Sequence, residues 1–70
     1  MVVVCDTHAA AGQVVELLLR HSLRPYIHFR VDETDHGDPP IAITIIRVPS
    51  EERLARLRPA LAATPNIRIQ

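Results

Sequence analysis

The sequence predicts an α+β fold with four antiparallel strands and two helices, and three observations support this prediction. First, four short apolar or alternating runs have the pattern of strands. Second, two amphipathic runs have the pattern of helices. Third, the order β-α-β-β-α-β gives two split β-α-β units with right-handed crossovers. Together they predict a ferredoxin-like sandwich, with both helices on one face of the sheet.

Length and composition predict one small domain that spans residues 1–70. Apolar residues make up 47% of the 70 residues but aromatic residues only 3%, so the core must be aliphatic. A chain of this length buries a small share of its surface. Association with a second subunit or a larger chain is a common way for such a domain to gain stability, and we therefore expect a homodimer or higher oligomer.

The charge balance and the single cysteine exclude several classes of protein. Eight basic and eight acidic side chains give a formal net charge of zero, which argues against nonspecific binding to nucleic acid. A lone cysteine, Cys5, cannot form an intrachain disulfide framework. No apolar run has the length of a membrane span, so no membrane contact is expected. We expect a cytoplasmic protein, although a domain cut from a longer chain would look the same.

The first strand and helix are predicted from the β-branched run Val2–Cys5 and the amphipathic run that follows it. Asp6 or Thr7 is predicted to cap the helix at its N-terminus. The helix is expected from Ala9 to about Ser22, and Pro25 prevents it from continuing.

Two strands are predicted to form a hairpin across the polar loop at residues 33–40. In the run from Tyr26 to Asp32, apolar residues alternate with polar ones. The run Ile41–Val48 is apolar enough for a central strand. Odd-numbered residues of both runs are assigned to the core, and the opposite face of the sheet is predicted to carry Tyr26, His28, Arg30, Thr44, Ile46 and Arg68. Because isoleucine on that face is unusual for a solvated surface, we expect a partner there, with His28, Arg30, Thr44 and Ile46 at the interface.

The second helix is predicted to begin after Ser50, which is a good N-cap and is followed by two acidic residues. Leucines then recur at helical spacing, and Pro59 is expected to kink this helix or to begin a separate last turn. A turn at Thr64-Pro65 precedes a short final strand over Asn66–Gln70.

The sequence carries no catalytic signature, so we expect neither an enzyme nor a cofactor. A metallochaperone would need a Cys-x-x-Cys pair in the first loop, and an RNA-recognition motif would need stacking aromatics on the central strands. An acylphosphatase-like enzyme would need an arginine in a glycine-rich first loop. The sequence has none of these features.

The four histidines lack the short spacing that places two metal ligands on one helix or strand face. The simpler interpretation is therefore that His8, His21, His28 and His36 are solvated or capping residues, and no metal site is assigned. The alternative is a metal site shared between subunits, with His28 or His36 joined by Cys5 or His8.

The chain resembles the ACT domain family of small-molecule sensors over nearly its whole length. The resemblance rests on the apolar strand that ends in Asp6, on the run Gly12-Gln13-Val14-Val15 with its following leucines, and on Tyr26-Ile27, where the family often has Asn-Ile. Thr64-Pro65-Asn66-Ile67 is similar to the family's turn before the last strand. Asp6 and Gly12 are farther apart than is usual in the family.

The resemblance implies a regulatory domain that pairs side by side with a second copy and binds an amino acid at the first loop. The residues it implies as ligand contacts are Asp6, Thr7, His8, Gly12, Gln13 and Tyr26. A related nickel-responsive domain has a His-x-His pair in the second strand, of which His28-Phe29-Arg30 keeps only the first histidine.

The sequence therefore leaves two principal functions open. In the first, a zwitterionic effector places its ammonium near Asp6 and its carboxylate near the N–H groups of residues 11–13, at the start of the first helix. In the second, the domain serves in protein–protein assembly without a small ligand. A histidine-based metal sensor is a third and weaker alternative.

Overall fold

The computed structural model describes residues 1–21, 26–48 and 50–70, and its elements follow the predicted order. The four strands are β1 (Val2–Cys5), β2 (His28–Asp32), β3 (Ile41–Arg47) and β4 (Ile67–Ile69). The two helices are α1 (His8–Arg20) and α2 (Glu51–Ala62).

The strands form one antiparallel sheet in the order β2-β3-β1-β4, which is consistent with the predicted ferredoxin-like α+β fold. β1 and β3 are therefore central, whereas β2 and β4 form the two edges. This placement explains why β1 and β3 are the most apolar strands, because central strands are the most fully covered.

One face of the sheet forms the core with the two helices. The sheet contributes Val3 and Cys5 of β1 and Ile41, Ile43 and Ile45 of β3, together with Ile27 just before β2. The helices complete the buried cluster with Ala10, Ala11, Val14 and Leu18 of α1 and Leu57 and Leu61 of α2. Phe29 lies opposite Ile45 and Val31 opposite Ile43, so the predicted assignment of odd-numbered residues to the core face is confirmed.

Several boundaries differ from the sequence prediction. α1 begins at His8 rather than Ala9 and ends at Arg20, whereas Ser22 and Pro25 lie outside the described residues. β2 begins at His28, so Tyr26 precedes the strand. β4 is limited to Ile67–Ile69, and β3 ends at Arg47.

Pro59 lies inside α2 rather than at the start of a separate turn. The carbonyl of Pro59 accepts a hydrogen bond from the N–H of Ala63 at 3.0 Å, so the hydrogen-bond ladder continues past the proline. Within a helix, proline lacks the N–H donor and its ring crowds the carbonyl four residues earlier, whereas its own carbonyl can still accept a hydrogen bond.

Candidate functional site

The junction between β1 and α1 is held by the side chain of Thr7. Its hydroxyl accepts a hydrogen bond from the N–H of Ala10 at 3.0 Å, while its backbone is extended. This is the geometry of an N-cap, in which a side-chain oxygen replaces a missing helical acceptor. Of the two capping residues that the sequence allowed, Thr7 is the one that caps, and Asp6 is left to interact elsewhere.

Asp6 joins the junction to β4 and to the turn that precedes β4. Its carboxylate accepts a hydrogen bond from the guanidinium of Arg68 at 3.0 Å. Its N–H donates to the carbonyl of Asn66 at 2.9 Å. Asn66 has a φ of 63°, a left-handed conformation that asparagine adopts more readily than most residues. The end of β1, the start of α1 and the start of β4 therefore meet at one place.

Opposite charges lie side by side and accessible at this place. The side chain of Asp6 is 47% exposed and that of Arg68 is 61% exposed. The adjacent N-terminus of α1 adds the partial positive charge of its first-turn N–H groups. A carboxylate, a guanidinium and a helix N-terminus together have the chemistry to bind an ammonium group and a carboxylate of one small zwitterion.

Sequence reasoning did not include Arg68 among the ligand contacts, although a usable signal was present. Arg68 lies directly opposite Val4 in the antiparallel pairing of β1 with β4. Asp6 is two residues beyond Val4 and so lies diagonally across from Arg68 on the same side, within reach of a long side chain. To find the contact from the sequence, the pairing register of β4 with β1 would have to be known, and a strand of only three residues has too short a pattern to fix it.

Gly12 and Gln13 are farther from this junction than the resemblance implied. Because α1 begins at His8, both residues lie within the helix rather than at its start. The N–H of Ala11 already donates to the carbonyl of Thr7 at 3.1 Å. The expected carboxylate contact with the N–H groups of residues 11–13 is therefore wrong. The N–H groups before the capped one, those of His8 and Ala9, lie at the start of α1 instead.

Gln13 lines a separate groove between α1 and the end of α2. The groove has a volume of about 310 Å³, and Leu17, Ala60 and Ala63 form part of its apolar lining. Glu16 and Arg20 also line it and form an exposed ion pair at 2.6 Å. Gln13 therefore belongs to the helix layer and not to the Asp6–Arg68 pair.

Tyr26 lies toward the opposite end of the sheet from Asp6. His28, the first residue of β2, is opposite Arg47 at the end of β3, whereas Cys5 is opposite Ile41 at its beginning. β1 and β2 thus run in the same direction, and Tyr26 precedes β2 while Asp6 follows β1. Tyr26 is 51% exposed. One chain alone does not bring these two predicted contacts together.

The residues predicted at an interface lie along β2 and β3. Arg30 is directly opposite Thr44 on the face away from the core, as predicted. The register then shifts, because Phe29 is opposite Ile45 but His28 is opposite Arg47. Ile46 is the extra residue of this bulge and is 63% exposed. His28 and Ile46 were both expected on the face away from the core, and at the bulge the partner of His28 is Arg47.

Cys5 is fully buried in the core. Burial raises the pKa of its thiol above the ordinary value, and the nearby Asp6 carboxylate contributes to this rise. Within the described ranges, no group of three or more His, Cys, Asp or Glu residues is arranged to hold a metal ion. A site built within one chain from Cys5 and His8 is therefore not present among these residues.

No family model matches the chain, and no curated protein or solved structure matches it either. Over residues 1–21, 26–48 and 50–70, no helix has both the length and the apolarity needed to cross a lipid bilayer.

Proposed function

We propose that the chain is a non-catalytic, ACT-like regulatory module of the cytoplasm that binds an amino acid and responds through dimerisation. The observation that carries the proposal is the exposed pair of Asp6 and Arg68 beside the N-terminus of α1. The ammonium of the effector binds the carboxylate of Asp6. Its carboxylate binds Arg68 and the first N–H groups of α1, because anions are favoured at a helix N-terminus.

Dimerisation through β2 brings Tyr26 of a second copy to the end of the sheet where Asp6 lies. β2 forms one edge of the sheet. When two such edges pair in the antiparallel direction, the beginning of one β2 lies beside the end of the other. Tyr26 precedes β2, and the end of β2 lies at the same end of the sheet as Asp6. A second copy therefore brings its Tyr26 to the same end of the joined sheet as Asp6, but about three strand spacings, roughly 14 Å, away from β1. At that distance Tyr26 does not contact an effector held by Asp6 and Arg68.

Titration calorimetry with a panel of natural amino acids tests the proposal, and the Asp6→Asn variant locates the site. We expect binding to the natural sequence and a loss of about tenfold or more in affinity in Asp6→Asn, because a charged hydrogen bond is removed. Glu52→Gln is the matched control. Glu52 is also an exposed acidic residue paired with an arginine, Arg56 at 2.8 Å, but it lies on α2.

Two results would count against the proposal. The first is that no amino acid binds. The second is that an amino acid binds but Asp6→Asn and Glu52→Gln bind it equally well. In that case, NMR would show ligand-induced changes in amide chemical shifts in the groove around Leu17 rather than at the junction.

An assembly domain without a small ligand is the second candidate, and one observation favours it. Val2 and Val4 of β1 point away from the core and are only half-buried. Apolar residues on both faces of a strand are typical of a sheet that is covered on both sides. Persistent self-association with no binding of any amino acid would favour this candidate.

A further inference from the structure

The face of the sheet opposite the helices, called here the open face, has an uncharged centre. Its four central residues are Val2, Val4, Ala42 and Thr44, and all are half-buried. In the described part of the chain, the core helices lie on the other face. A solvated face of an antiparallel sheet normally carries polar residues at such positions. This centre is therefore suited to contact with another protein surface.

Two ion pairs of the open face lie on either side of this centre, and Arg47 of β3 lies opposite His28 beyond it. On β2, the guanidinium of Arg30 is 3.0 Å from the carboxylate of Asp32. On β4, Arg68 is 3.0 Å from Asp6. The cross-strand register sets one row of four residues across the sheet, in the order Asp32, Ala42, Val4 and Arg68. This row begins with a negative charge and ends with a positive one.

We propose that a second copy of this chain packs its open face against the first, with a two-fold axis parallel to the strands between β3 and β1. Such an axis places β3 over β1 of the second copy and β2 over its β4. The row of one copy then lies against the same row of the second copy in the opposite order. Asp32 faces Arg68 of the second copy at both edges, and Ala42 faces Val4 at the centre.

The resulting charge pattern is complementary along each edge. The charges along each edge alternate in sign, in the order Arg30 and Asp32 of one copy, then Arg68 and Asp6 of the second copy. The small side chains at the centre allow two sheets to stack at the usual distance of about 10 Å. The contact uses a face rather than the β2 edge, and it does not depend on the proposed effector.

The size of the face indicates a weak and reversible dimer. Four strands about 4.8 Å apart, over a length of about 20 Å, give roughly 400 Å² per copy. The total of roughly 800 Å² is below the area of about 1,200 Å² at which stable interfaces begin. We therefore expect self-association with a micromolar dissociation constant.

Charge-reversal variants give a direct test by sedimentation velocity from micromolar to millimolar protein. Asp32→Arg alone places two arginines opposite each other at each edge, and Arg68→Asp alone places two aspartates there. We expect each variant to associate roughly tenfold more weakly than the natural sequence, because like charges face each other. In an equimolar mixture of the two variants, every edge contact is again between opposite charges. The mixture should therefore associate more tightly than either variant alone.

A pair of alanine substitutions provides the second measurement. Ala42→Glu introduces a charge at the centre of the open face and should leave the protein monomeric. Ala62→Glu introduces the same charge on an exposed site of α2 and should leave association unchanged. Circular dichroism confirms that each variant is folded before it is compared.

Three results would overturn the proposal. The natural sequence could stay monomeric at millimolar concentration. The Ala42→Glu variant could associate as tightly as the Ala62→Glu variant, or the mixture of charge-reversal variants could associate no more tightly than either variant alone. The mixture also discriminates against pairing through the β2 edge. Edge pairing does not place Asp32 against Arg68 and so does not predict recovery.

Discussion

Replacement of Thr7 by alanine removes the N-cap of α1 and should lower the free energy of unfolding by about 1 kcal/mol. The hydroxyl of Thr7 is 3.0 Å from the N–H of Ala10, and this contact is partly buried. Its loss leaves a donor that water reaches poorly, which places the expected cost in the upper part of the range for exposed caps. In a domain of this size, a loss of 1 kcal/mol lowers the melting temperature by about 4–8 °C.

Ser50 provides the matched control because it caps α2 in the same way. Its hydroxyl accepts from the N–H of Arg53 at 3.3 Å, but the contact is exposed, so water can replace it. Ser50→Ala should therefore cost less, at about 0.5 kcal/mol, and Thr7→Ser should cost little because the hydroxyl is retained. Urea unfolding followed by circular dichroism measures all three variants. The reasoning is refuted if Thr7→Ala costs no more than Ser50→Ala, or if Thr7→Ser is as damaging as Thr7→Ala.

Two further substitutions test the backbone of α1 and the buried thiol of β1. Gly12→Ala should raise the free energy of unfolding by about 0.5–1 kcal/mol in urea unfolding, because a β-carbon there meets no atom within 4 Å and alanine is the better helix former; a destabilised variant would contradict this. Cys5 has a raised pKa in the folded protein. The unfolded chain therefore releases the thiol proton at lower pH, and the stabilisation from the buried neutral thiol is complete only below the unfolded thiol pKa of about 8.5. At higher pH the free energy of unfolding should fall by up to about 1.4 kcal/mol per pH unit. Unfolding measured at increasing pH should show this decline, and Cys5→Ala should remove most of it.

Much of the fold could be predicted because short-range patterns and the sheet register agree. Alternation in the second and third apolar runs assigned Phe29 and Val31 to the core face, and the register places them opposite Ile45 and Ile43. Ser50 was predicted as an N-cap from its position before two acidic residues, and its hydroxyl caps α2. In each case, the cause lies within a few residues of sequence.

The bulge in β3 could not be predicted in the same way. The doubled isoleucine at Ile45 and Ile46 interrupts the alternation of apolar and polar residues, but so apolar a run is also typical of a central strand. The pattern alone therefore did not distinguish the bulge, which shifts the partner of His28 to Arg47. β2 begins at His28, two residues after the start predicted at Tyr26.

The candidate site was only partly predictable because its decisive contact joins the two ends of the chain. Asp6 and Arg68 are separated by 62 positions and meet only because β4 pairs with β1. Sequence reasoning gave Asp6 as a ligand contact but placed Arg68 only on the face of the sheet away from the core. The position of Gly12 was misjudged because α1 begins at His8, so Gly12 lies in the second turn of the helix and not at its start.

Arg68 is the residue through which the two proposals interact. Its guanidinium binds the carboxylate of the effector in the first proposal and faces Asp32 of a second copy in the second. Both interactions draw on the same positive charge, and Asp6 already holds one of its donors at 3.0 Å. An effector that occupies Arg68 therefore weakens face-to-face packing. By thermodynamic reciprocity, face-to-face packing lowers the affinity for the effector by the same factor. Pairing through the β2 edge is free of this competition, so the effector shifts the protein from face contacts toward edge contacts.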